Sequence, residues 1–95
     1  MSLEGKFEAR MRDIYRRSDA ECDYRPTYFL QMIDERGGVG AAKALLAKPM
    51  PSDGFTKLFE LGRLDLAMES LVLEPEWASL FTDAELNKAR RWLGR

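Results

Sequence analysis

Apolar residues return every three or four positions along most of the chain, and turn or breaker residues interrupt the rhythm at intervals. That pattern predicts a series of short amphipathic helices. Phe7, Met11, Ile14, Tyr15, Ser18 and Cys22 share one face of a first helix over about residues 4–22. Arg12 and Arg16 fall on the opposite face, and Glu8 precedes Arg12 by four residues, the favourable order for a helix-surface pair. Pro26 biases Arg25 away from helical geometry and suits the first turn of a second helix. This second helix turns Phe29, Leu30 and Ile33 inward and ends at Gly37-Gly38. A third, over residues 39–48, presents Val39, Ala42, Leu45 and Leu46, and Pro49-Met50-Pro51 stops it as a stiff, extended link.

Ser52 is the expected cap of a fourth helix, with Phe55, Leu58, Phe59 and Gly62 on one face and Gly62 as its stop. A fifth helix is expected over residues 64–73, capped by Asp65. Leu64, Ala67, Met68, Leu71 and Val72 form a broad stripe there, while Leu66 and Leu73 project from the other side. A helix apolar on both sides belongs at the centre of a fold. Glu74-Pro75-Glu76 opens a short turn carrying Trp77, Leu80 and Phe81. Thr82-Asp83-Ala84-Glu85 then has the capping-box spacing that starts a last helix, with Gly94 as its stop. No segment alternates as a strand does. The expectation is an all-α, single compact domain of about five to seven short helices. Its core would be Phe29, Ile33, Leu46, Phe55, Leu58, Phe59, Ala67, Met68, Leu71, Leu86 and Leu93. Residues 1–5 are read as a disordered or cloning-derived start, and 6–95 as the helical domain.

Composition narrows the function classes. The 95 residues fit one domain, and 45% hydrophobic with 33% charged residues is the balance of a globular protein. The net charge of -1 gives no global attraction to nucleic acid or to an anionic membrane. Its distribution is uneven, with an acidic stretch over residues 52–81 and a basic one from Thr82 onward, which reads as ordinary solvated faces. One cysteine, Cys22, allows no internal disulfide and suits a reducing cytoplasm. No apolar run is long enough for a membrane span.

Histidine is absent, which removes the commonest general base and the commonest metal ligand. Gly37-Gly38-Val39-Gly40-Ala41-Ala42-Lys43 resembles a phosphate loop only superficially, because Ala44 follows the lysine and a helix precedes the glycines. What remains is the generic capacity of free amides at a helix start to hold an anion. Glu60, Asp65 and Glu69 are the best candidates for chemistry. Asp65 and Glu69 are four residues apart and could hold a divalent cation on one helix side. The structural alternative pairs Glu69 with Arg63 or another arginine, since a partly buried charge demands a partner. On that alternative, replacing Glu69 by glutamine destabilises the fold. We therefore assign no catalytic, cofactor-binding or metal-binding residue from the sequence.

Tyr28-Phe29-Leu30-Gln31-Met32, Gly37-Gly38 and Ala41-Ala42-Lys43-Ala44-Leu45-Leu46 carry a resemblance. It continues through Ser52-Asp53-Gly54-Phe55, Arg63-Leu64-Asp65-Leu66 and Glu69-Ser70-Leu71-Val72-Leu73. Across residues 24–93 the string resembles a family of small uncharacterised bacterial proteins that stand alone or as a tail on longer chains. The family usually has tryptophan where this chain has Phe59. The resemblance implies a coherent folding unit and no mechanism.

Missing catalytic groups, small size and a surplus of large apolar residues favour a non-enzymatic helical module that binds another protein or an appended domain. Trp77, Trp92, Arg91 and Tyr24 are its candidate interaction surface, because they lie at segment ends. The alternative is a helix-turn-helix-like nucleic-acid-binding protein using Lys88, Arg90, Arg91, Trp92 and Arg95 of the last helix. A carboxylate–metal enzyme built on Glu60, Asp65 and Glu69 comes third.

Overall fold

In a computed structural model describing residues 2–95, the chain is all-α, with no strand among the described residues. Helix α1 spans Leu3–Cys22 and α2 spans Thr27–Leu46. Helices α3 (Asp53–Glu60), α4 (Met68–Val72) and α5 (Asp83–Leu93) follow. Two 3-10 segments, Leu64–Leu66 and Pro75–Leu80, flank α4. Local signals account for most boundaries. Ser2, Ser52 and Thr82 each accept from the amide three residues on, and Thr82 and Glu85 make the reciprocal capping box. The segment expected as a loose start is helical from Leu3; Met1 lies outside the described residues.

The second and third expected helices meet with no linker, as the two halves of α2. Gly37, at φ 77° and ψ 168°, breaks the helical geometry between them in a region reserved for glycine. Gly38 then opens the second half, and its amide donates to Oε1 of Glu8 on α1 at 3.1 Å. The free amide at this helix start, which could have held an outside anion, is taken by the protein's own carboxylate. α1 and α2 pack closely and form the main frame.

Two apolar clusters hang on that frame. In the larger, Phe7, Met11, Ile33, Leu46, Leu71, Val72 and Trp77 are buried. The Phe7 ring meets Trp77 and Phe81 edge-on, at centroid distances of 5.5 and 5.3 Å. The smaller unites Phe55, Leu58, Leu66 and Ala67. Three expectations change here. Residues 64–73 are not one helix: Ala67 is extended (ψ 143°) between the 3-10 turn and α4. The break sends Leu66 and Ala67 to the smaller cluster and Met68, Leu71 and Val72 to the larger, which a single stripe could not do. Asp65 consequently caps nothing, since it lies inside the 3-10 turn and is held by Arg63. Phe59, expected in the core, is 64% exposed.

Candidate functional site

The carboxylates proposed for a metal do not come together. Glu60 and Asp65 are exposed, whereas Glu69 is buried, with 2% of its surface accessible. Among the described residues, no group of three or more acidic, cysteine or histidine side chains is placed to hold a metal ion. The expected Arg63–Glu69 ion pair is also absent. Arg63 instead reaches Glu21 on α1 at 2.6 Å and grips both oxygens of Asp65 at 3.0 Å. Arg17 and Arg63 together hold the Glu21 carboxyl at about 2, well below its ordinary value of 4.5. The guanidinium was legible as a pairing group, but its partner lies 42 residues away in the chain.

The candidate interaction surface is likewise dispersed. Trp77 is core, 3% exposed, with its Nε1 donating to Glu74 at 3.3 Å. Trp92 is half-buried beneath the Lys88 ammonium, 5.2 Å from its ring centroid, and Arg91 beside it is exposed. Arg90 donates to Asn87 at 2.8 Å, so the basic residues of α5 are partly engaged within the helix. Tyr24 lies elsewhere, with its hydroxyl against Gly54.

Tyr24 belongs to a different feature. A cavity of about 640 Å³ lies among α1, the turn after it, α2, the proline link, α3 and the start of α4. Its apolar walls include Ile14, Phe29, Met32, Leu45, Phe55 and Leu58. Tyr15, Tyr24 and Tyr28 contribute rings, and Pro49, Met50 and Pro51 form one rim. Pro26 and the prolines of the link stand outside the helical runs, and both connections border the space. Met50 and Tyr28, 71% and 61% exposed, stand at the mouth.

Glu69 forms part of the cavity wall. The extended Ala67 makes Glu69 the second residue of α4 and turns it inward between the two clusters. Burial pushes its carboxyl up to about 7, and only its own backbone amide works the other way. Among the described residues no other side chain donates to it. No enclosed side-chain oxygen lacks a partner among the described residues, so a Glu69 carboxyl oxygen without one keeps some accessible surface, and the residue lines the cavity. Ser18 is the other buried polar side chain among the described residues, and it shares the wall. Arg25, Lys48 and Asp53 are exposed charged residues on the lining. Arg25 is taken by Asp19 at 2.8 Å, and Lys48 lies 5.6 Å over the Tyr28 ring.

Tyr24 and Glu69 are the residues of this site that stood out in the sequence as candidates for an interaction surface or an ion pair. The available signals were Tyr15, Tyr24 and Tyr28 around Pro26, and one carboxylate inside the apolar run Ala67-Met68-Glu69-Ser70-Leu71. No protein-family model, curated protein or solved structure matches the chain.

Proposed function

We propose that this chain is a non-enzymatic binding module and that the cavity beside Glu69 is where it takes its ligand. The observation that carries this reading is the cavity itself. Its volume of about 640 Å³ falls in the range of pockets that enclose small organic molecules, and its composition, mostly apolar with a few polar groups, is that of such sites. The lack of histidine, with no metal-holding cluster among the described residues, favours binding over turnover. A fragment titration followed by amide NMR tests it. Fragments of ring-plus-chain size should shift amides of Ala67, Met68 and Phe55. No shift at those amides at millimolar fragment would overturn the reading.

A protein partner has one observation in its favour: Phe59 and Leu61 are exposed at the end of α3 and do not line the cavity. A partner bound there would protect these side chains, not the cavity amides, when the complex forms.

A further inference from the structure

We propose that the cavity is a site for an organic cation: an ammonium group carried on an apolar body, with the Glu69 carboxylate as its counter-ion. This rests on the reading of the cavity as the binding site and names the chemistry of its ligand.

Ser18 and Glu69 are the buried polar or charged side chains among the described residues, and both line the same space. Among the described residues Glu69 takes part in none of the ion pairs. The arginines closest to it in sequence and around the cavity have other partners: Arg63 holds Glu21 and Asp65, and Arg25 holds Asp19. An ionised carboxylate in such a place costs stability unless a cation joins it. A ligand ammonium supplies that cation from outside, and its removal from water is offset by the same contact.

The remaining walls suit the rest of such a ligand. Tyrosine and phenylalanine rings attract a cation through their faces, and the aliphatic side chains cover an apolar body. The titratable and charged groups facing the cavity from the packed elements are Tyr15 of α1, Tyr24 and Arg25 of the turn, Tyr28 of α2, Lys48 of the link and Asp53 of α3. Arg25, Lys48 and Asp53 are exposed and screened by water, so Glu69 is the charge a ligand meets inside. An anionic ligand would meet that carboxylate as a like charge.

Binding is therefore coupled to pH. The ammonium keeps its proton across the neutral range, while Glu69, at about 7, must lose its own to pair with it. Ammonium affinity should rise from pH 5.5 to pH 8, with a proton released on binding.

The test compares three probes of one shape, phenethylamine, 2-phenylethanol and 3-phenylpropanoate, by calorimetry and amide NMR at both pH values. At pH 8 the amine should bind about ten-fold more tightly than the alcohol, and the carboxylate least. The amine's advantage over the alcohol should shrink at pH 5.5 and vanish in Glu69→Gln. The comparison within the wild type needs no variant, so it holds even if Glu69→Gln folds poorly. Equal binding of amine and alcohol at pH 8, or preference for the carboxylate, overturns the cation assignment and leaves the cavity reading standing. If no probe shifts the cavity amides, both fall.

Discussion

The amide of Gly38 donates to Oε1 of Glu8 at 3.1 Å, and a Cβ placed on Gly38 would lie 2.5 Å from the Cα of Glu8. The bond to the Glu8 side chain and the close approach of the two backbones join the two longest helices at the point where α2 changes direction. Gly38→Ala must push α1 and α2 apart and should cost about 2 kcal/mol, as overpacking of a tight interface does. Glu8→Ala loses the accepting carboxylate and should cost about 1 kcal/mol, the size of a lost helix cap. Urea denaturation of both variants gives the comparison; an alanine at 38 as stable as the wild type would rule out the close approach.

Thr82 and Glu85 exchange hydrogen bonds at the start of α5, at 3.1 and 2.8 Å, and Glu85 also receives Lys43 of α2 at 2.7 Å. Thr82→Ala should cost about 1 kcal/mol and loosen the first turn. Glu85→Ala keeps the amide bond to Thr82 but removes the side-chain half of the box and the tether to α2 together, and should cost more. Hydrogen exchange at the Glu85 amide reads the first effect directly, and unchanged protection there would show that Thr82 is not the cap.

Leu71 is 3% exposed in the larger cluster. Leu71→Ala leaves a cavity between α4 and the α1–α2 frame and should lower stability by about 2–5 kcal/mol. An unchanged melting temperature would mean that α4 is peripheral.

Glu69 gives a pH dependence of definite sign. In the unfolded chain its carboxyl ionises near 4.5; in the fold it does so near 7. Between those values the folded state holds the extra proton, so stability falls as pH rises through this window and levels off above it. The loss amounts to about 3 kcal/mol at pH 8, since each unit is about 1.4 kcal/mol. Glu69→Gln carries no such penalty and should be the more stable protein at pH 8, with the gap closing near pH 4.5. This reverses the destabilisation expected from an Arg63–Glu69 pair. Melts of both proteins from pH 4.5 to 8 measure it, and parallel curves would show that the carboxyl is solvated.

What the sequence determined by itself lies within four residues of each position. Ser52, Thr82 with Glu85, Pro26, Gly37-Gly38 and Gly94 set helix starts, stops and the bend of α2, because a cap acts on the amide or carbonyl next to it. The all-α class follows from the same local periodicity. The tertiary structure decided which apolar faces were covered. Trp77 entered the core beside Phe7, while Phe59, on an equally regular stripe, stayed outside. It also split residues 64–73, because that segment had to serve two clusters lying in different directions. Arg63 found Glu21 on another helix, and Glu69 was left facing a cavity whose walls come from five other parts of the chain. Periodicity ranks the faces of one helix; burial and ion pairing depend on how helices are placed against one another, which no single stripe contains.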